Sequence, residues 1–308
     1  MRPRVRFAIV LALLVGVVPP VLLKQQQSPV SSPNSQTSTL FVTVEDSQGR
    51  PVSDLRKEEF RIWVGGAAVE ITDFQPDGNW PLLLGLLFDV SGSRRGQWPG
   101  EEGEPAVEFA QRVLRQGDAA FVTSLRGDSS PEQDVTVDFP RVAKAIRGVT
   151  RSMPKGGLAL FDTIVLYTDF VQRDPRDRKA FVIVTDGQDN ESNLSSARAV
   201  EAALRSDTAL YFICLPAPSW WNRKDAHKNR RIVEHLANET GGAVAFISRP
   251  EELTGAFQEI ESQIRGQYRL RFKPNPSRKD GKLQSLRIKT TRSGLKVLAR
   301  KGYYAPRN

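Results

Sequence analysis

Between about Pro81 and Arg265 the chain alternates short, continuously apolar runs with amphipathic stretches, and this alternation restricts the possible folds more than any other feature. The runs are Leu82 to Phe88, Ala119 to Thr123, Val135 to Phe139, Ala180 to Thr185, Ala209 to Leu215 and Ala243 to Ile247. A strand with one face in water alternates apolar and polar residues, whereas a strand covered on both faces by helices is apolar throughout. Helical periodicity falls between the runs, near Pro105 to Leu114, Arg141 to Ile146, Leu160 to Gln172, Ser195 to Leu204, Arg230 to Ala237 and Pro250 to Ile264. Strand and helix in alternation predict an α/β fold, a Rossmann-like doubly wound sheet that is mostly parallel, over residues 79–265.

The flanks are written differently. Leu40 to Val44 is β-rich, Asp46 to Pro51 is a turn cluster, and Phe60 to Val64 alternates before Gly65-Gly66, which predicts two or three short antiparallel strands over residues 39–78. Residues 266–308 answer in the same style, with Tyr268 to Phe272, Leu286 to Thr290 and Leu295 to Leu298 alternating around turns. An isolated strand pair is marginal in water, so the two flanks are expected to pair with each other as one small discontinuous β unit.

Three arginines, Arg2, Arg4 and Arg6, precede an apolar run from Phe7 to Leu23. A charged segment followed by an apolar one reads as an export signal, so residues 1–24 are expected to be a signal peptide or an uncleaved membrane anchor. Residues 25–38, rich in Gln, Ser, Pro and Thr, read as a flexible linker. Export implies a secreted, periplasmic or membrane-anchored protein. The single cysteine, Cys214, excludes an intrachain disulfide and lies in an apolar run, where a buried thiol is expected.

The net charge of +9 is uneven, because residues 262–308 hold 14 Lys and Arg against one acid, Asp280. Such a tail either faces an anionic partner or forms the solvated faces of strands. No nucleic-acid recognition motif accompanies it, and none is expected to act.

Ligands of open α/β sheets bind beyond the carboxyl ends of the strands. The first apolar strand runs into Asp89-Val90-Ser91-Gly92-Ser93, and another, Phe181 to Thr185, ends at Asp186-Gly187. If the two ends meet, carboxylates and hydroxyls converge as hard oxygen donors suited to Mg²⁺ or another divalent cation.

At these residues the chain resembles the von Willebrand factor A family. Asp89-x-Ser91-x-Ser93 is similar to that family's metal-site signature, Gly156 to Asp162 to its second loop, and Val182 to Gly187 to its third. The resemblance covers roughly residues 80–265. It implies metal coordination by Asp89, Ser91, Ser93 and Asp186, some of it through water, and adhesive binding of a partner protein's carboxylate. Leu158 stands where the family usually places a threonine ligand, and Arg94 and Arg95 bring positive charge beside the first loop. Some bacterial exported members carry similar flanking units, here Val44 through Phe60 and Tyr268 through Gly302-Tyr303-Tyr304. The competing expectation is a metal-free scaffold that binds through its loops or basic tail.

An enzyme is not expected. Asp89 and Ser93 occupy the places where a nucleophile elbow needs glycine, no phosphate-cradling P-loop is present, and His227 and His235 lie in one polar helical stretch. A metal-dependent hydrolase is the remaining catalytic alternative. Arg126-Gly127-Asp128 is a chance-level tripeptide, and Trp220-Trp221 beside Arg223 reads equally as buried packing or an interface anchor.

Overall fold

In the computed structural model, which describes residues 37–76, 79–95, 98–126, 131–217, 222–273 and 281–305, the run Leu82–Phe88 forms the strand on which the α/β layer is built. In chain order the N-terminal flank supplies β1 (Ser38–Glu45), β2 (Phe60–Val64), β3 (Ala67–Val69) and β4 (Ile71–Gln75). The α/β layer follows as β5 (Leu82–Phe88), α1 (Gly103–Val113), β6 (Ala119–Ser124), β7 (Gln133–Thr136), α2 (Phe139–Thr150) and α3 (Leu160–Val171). It continues with β8 (Arg178–Thr185), α4 (Ser196–Arg205), β9 (Thr208–Cys214), α5 (Arg223–Thr240), β10 (Val244–Phe246) and α6 (Leu253–Arg265). The C-terminal flank closes with β11 (Gln267–Phe272), β12 (Leu283–Thr290), β13 (Lys296–Leu298) and β14 (Gly302–Tyr304).

The six-stranded sheet has the order β10-β9-β8-β5-β6-β7 and is parallel except for β7, which runs antiparallel to β6. Side chains alternate across it. Leu82, Leu84, Leu86 and Phe88 of β5 join Phe109 of α1, Ile146 of α2 and Phe257 of α6 in one core. Leu83 and Leu87 join Ile164 of α3, Ala199 of α4 and Val233 of α5 in the other. Because both faces are buried, no position on β5 can be polar, and the continuous apolar run follows.

Gly85 interrupts that run for a packing reason. It pairs with Phe121 on one side and Phe181 on the other, and a Cβ there would meet their rings at 2.5 and 2.6 Å. The two rings meet edge to face, centroids 5.4 Å apart, over the space that glycine leaves.

Two expectations need correction. The strand expected at Val135 to Phe139 is shifted, since β7 covers Gln133–Thr136 and Phe139 already opens α2, with Pro140 in its first turn. Val137 between them is 75% exposed, so its apolar character reports no burial. The periodic stretch at Arg230 to Ala237 is only the buried part of a longer helix. α5 begins at Arg223, where Asn222 Oδ1 accepts the Asp225 N–H at 3.0 Å, and ends at Gly241 in the left-handed region.

The flanks pair as expected, although the N-terminal one provides four strands instead of two or three. β1 runs antiparallel to β11, with Leu40 opposite Leu270, and β2 runs antiparallel to β12, with Ile62 opposite Ile288. The sheets β13-β1-β11-β4 and β14-β12-β2-β3 share a third core, including Leu40, Val42, Phe60, Ile62, Leu270 and Leu286. Tyr268 ties it to the loop after β1, donating to Val52 O at 2.7 Å and accepting from Leu55 N at 3.0 Å.

Part of the basic C-terminal charge is matched within the chain. Arg292 bonds Asp54 and Glu59, Arg269 pairs with Asp73, Lys296 with Glu45, Arg300 with Asp207 and Arg265 with Asp118. Arg287 instead lies over the Trp63 ring. Among the described residues no helix is long and apolar enough to cross a membrane.

Candidate functional site

β5 and β8 are neighbours in register, Phe88 beside Val184, yet β5 leads on to β6 on one side while β8 leads on to β9 on the other. At such a reversal of strand order the connections diverge to opposite faces and leave a crevice at the carboxyl ends. Asp89 and Asp186 are the residues that follow β5 and β8.

Strand pairing persists one residue into the first loop, where the Asp89 N–H donates to Val184 O at 2.9 Å. The Asp89 carboxylate then organises the turn. Its Oδ1 accepts the Ser91 N–H at 2.9 Å and its Oδ2 accepts the Thr185 hydroxyl at 2.8 Å. A single 3-10 turn over Gly92–Arg94 brings Ser91 Oγ and Ser93 Oγ to 2.8 Å. Across the crevice, Asp186 Oδ1 accepts the Gln188 N–H at 3.1 Å, while its buried Oδ2 has no hydrogen-bond partner. Gly187 takes a positive φ of 78°, which lets its N–H turn back to Thr185 Oγ1 at 2.9 Å.

The electrostatics reflect this crowding. Burial first, and then the charge of Asp89, push the Asp186 carboxyl up to about 7, and the Gln188 N–H, the Ser93 hydroxyl and the Arg94 charge oppose the shift without cancelling it. The four residues singled out in the sequence, Asp89, Ser91, Ser93 and Asp186, are thus gathered at one rim.

The second loop is fastened to the first by main-chain bonds, Gly92 N–H to Gly156 O at 2.8 Å and Lys155 N–H to Val90 O at 3.0 Å. Its Leu158 side chain is 1% exposed and packs into the core formed with α3, α4 and α5. A polar run after the third loop holds the second in place. Asn190 Oδ1 accepts Leu158 N–H at 2.8 Å, Glu191 Oε1 accepts Gly157 N–H at 2.9 Å, and Ser192 Oγ accepts the Phe161 and Asp162 N–H groups that begin α3. Asp162 reciprocates by accepting from Asn193 N and Leu194 N. Sequence reasoning passed over Asn190, Glu191 and Ser192, although such a cluster of cap-forming side chains is a loop-bracing signal.

Arg94 brings its charge beside the first loop from the inside. It does not stand beside the crevice as a free cation; it is 2% exposed and turned inward, donating from Nη1 to Asp89 O and from Nη2 to Glu102 Oε1, each at 3.1 Å. Glu102 is equally buried, and desolvation raises its carboxyl above the usual range against the pull of Arg94. No sequence motif pointed to this pair.

Ser91, Ser93, Gly156, Leu158, Gln188 and Asn190 line an open cleft of about 470 Å³. The donor set suits a hard cation, with two carboxylates, two hydroxyls and a bare Asp186 oxygen in place. Among the described residues no three His, Cys, Asp or Glu side chains converge, so a cation here would complete its shell with hydroxyl and water oxygens. His227 and His235 sit exposed on α5. Cys214 is buried, its thiol pushed up to about 12, chiefly by desolvation, and so is inert as a nucleophile. Gly127-Asp128 and Trp220-Trp221 lie outside the described residues.

A six-stranded sheet with one antiparallel edge, a central first strand and three loops converging on a switch point that bears Asp-x-Ser-x-Ser decides the architecture. The α/β layer has a von Willebrand factor A-like fold. No protein-family model matches the chain, and no curated protein matches it. Solved structures similar to it include the vWF domain of the type V pili tip protein Mfa5 from Porphyromonas gingivalis, at 12% identity and TM-score 0.48, covering 60% of this chain and 95% of that one. A von Willebrand factor type A protein from Catenulispora acidiphila is similar at 15% identity and TM-score 0.46, covering 89% and 75%. BatB from Bacteroides thetaiotaomicron is similar at 14% identity and TM-score 0.40, covering 59% and 98%. In this α/β layer the first and third loops carry the carboxylates, and the second contributes backbone and an apolar side chain.

Proposed function

We propose that the chain is an exported, non-enzymatic protein-binding module of adhesion type, in which a divalent cation held by Asp89, Ser91, Ser93 and Asp186 accepts a carboxylate from a partner protein. The observation that carries this reading is the buried Asp186 Oδ2, an acceptor without a donor in a crevice that also holds Asp89. Two desolvated carboxylates are costly without positive charge. Arg94 supplies only part of it, because its guanidinium is shared with Glu102 and the Asp89 carbonyl. Mg²⁺ or a similar hard cation would offset the repulsion and present an open coordination position to a partner. The chain's own residues do the rest: Thr185 and the Ser91 N–H orient Asp89, and the second-loop backbone fixes the first loop against it.

Ser91 Oγ meets Ser93 Oγ and no imidazole among the described residues, so the pair lacks the general base that a nucleophile requires. Extracytoplasmic placement rests on the arginine-led apolar segment of residues 1–24.

A Mg²⁺ titration of the full chain by calorimetry tests the reading. Saturable binding that disappears in Asp186→Ala and Asp89→Ala supports it, and the absence of heat at millimolar Mg²⁺ rejects it. The second reading is a metal-free scaffold contacting its partner through the loops, favoured by buried Leu158 and by the two hydrogen bonds that Asp89 already accepts. It requires partner binding that survives excess chelator.

A further inference from the structure

The outer face of α5 carries Arg223, Lys224, Lys228 and Arg231, all exposed, with His227 and His235 in the same stripe. Residues three and four apart on a helix lie on one face. None of the four cations makes an ion pair among the described residues, and the acids of the helix are engaged elsewhere. Asp225 bonds Asn222, Glu234 pairs with Arg230, which itself lies over the Phe246 ring, and Glu239 faces Lys301.

Such a stripe opposes helix formation twice. Like charges one turn apart repel, and Arg223 and Lys224 stand in the first turn, where the helix dipole is already positive. Other helices are arranged otherwise: Arg198 and Arg205 of α4 share Glu201, and Arg112 of α1 lies between Glu108 and Glu261. A mainly cationic surface whose four cations have no ion pair among the described residues fits an anion from outside.

Its position ties it to the crevice. α5 packs on the third loop so closely that a Cβ on Gly187, the residue after Asp186, would lie 3.2 Å from Val233 Cγ1 and 3.8 Å from Asn229 O. Lys228 adjoins Asn229 in that turn. We propose that the α5 stripe docks an acidic segment of the partner protein, an extended peptide bearing Asp or Glu at alternate positions, beside the carboxylate-accepting crevice. The spacing is compatible, since one helical turn advances about 5–6 Å and two residues of extended chain about 6–7 Å. An anionic membrane is the poorer fit, because helices that lie on bilayers insert an apolar face, and the apolar side of α5, with Val233, Leu236 and Ala237, is buried in the core. The location rests on the proposed cation reading; the attraction of the stripe for acidic peptide does not.

The test is fluorescence anisotropy with the full chain and a labelled ten-residue peptide of alternating Glu and Ser, in chelator and at low salt. Binding is expected, weakening as salt rises. The variant K224E/K228E/R231E should lose at least about tenfold in affinity, whereas R287E/K289E on β12, a charge change of similar kind elsewhere, should keep it. The neutral variant K224Q/K228Q/R231Q, checked for folding by circular dichroism, covers the case in which charge reversal unfolds α5. Equal affinity of wild type and either folded stripe variant overturns the proposal, as does binding to phosphatidylserine vesicles without binding to the peptide. Adding Mg²⁺ separates the two readings: a gain in affinity that Asp89→Ala removes belongs to the crevice, and no gain rejects the cation while leaving the stripe standing.

Discussion

The Thr185 hydroxyl donates to Asp89 Oδ2 over 2.8 Å, tying the ends of two neighbouring parallel strands side chain to side chain at the point where main-chain pairing stops. Asp89 is thereby held in one rotamer with both oxygens engaged, while Asp186, one residue beyond Thr185, keeps an oxygen bare. The crevice is therefore asymmetric, with one carboxylate positioned by the fold and the other left in need of a positive charge.

That need has a pH signature. The folded chain retains the Asp186 proton up to about pH 7, whereas the unfolded chain releases it near its ordinary value of 3.8. Between these limits the folded state binds more protons, so without divalent cation stability falls as pH rises through the window. Urea midpoints in chelator at pH 5 and pH 8 should show wild type losing on the order of a few kcal/mol relative to Asp186→Asn. Saturating Mg²⁺ at pH 8 should restore it. Parallel pH profiles of the two proteins would sink the idea.

Leu158→Thr should place a hydroxyl where the second loop now offers only a methyl-bearing side chain. Mg²⁺ affinity should rise by about tenfold, since each added oxygen ligand tightens a hard-cation site. The apo protein should lose about 1–3 kcal/mol from hydroxyl burial in an apolar core. Calorimetry and thermal melts in chelator check both halves; unchanged Mg²⁺ affinity would place Leu158 outside the coordination sphere.

Arg94 and Glu102 form a buried pair, with side chains 2% and 3% exposed. Arg94→Met alone should cost about 3–5 kcal/mol, because Glu102 is left charged and desolvated, and Arg94→Met with Glu102→Leu should recover most of it. A double-mutant cycle by urea unfolding measures the coupling, and additive losses would mean that the two do not depend on each other.

Gly85→Ala should destabilise the chain by about 1–3 kcal/mol, since the new methyl group would occupy space held by the Phe121 and Phe181 rings. Phe121→Leu should relieve part of the loss. If the double variant is no more stable than Gly85→Ala, ring crowding is not the cause.

The layer order of the fold was legible because β5 is buried on both faces, which forces an unbroken apolar run from Leu82 to Phe88. Burial on one face only, or at an edge, writes a weaker signal, and so β7 was misplaced across Val137 and the first two turns of α5 went unseen. Asp89, Ser91, Ser93 and Asp186 could be found because each lies at or just past a strand end in a recognisable spacing. Arg94, Glu102 and Asn190 could not, since their partners lie at separations set by tertiary packing. The basic tail was conspicuous in the composition and proved paired in part, while the stripe on α5 needed the helix to be seen as one surface.

The pairing of β1 with β11 has a mechanical meaning. Tension between residues 37 and 305 would load the hydrogen bonds that join β1 to β11 and β13, and would also enter the α/β layer at the C-terminal end of α5, where Lys301 N donates to Glu239 O and Arg300 bridges to Thr240. That load arrives at the end of α5 far from Asp186, whereas the loops of the crevice lie at the carboxyl ends of the strands.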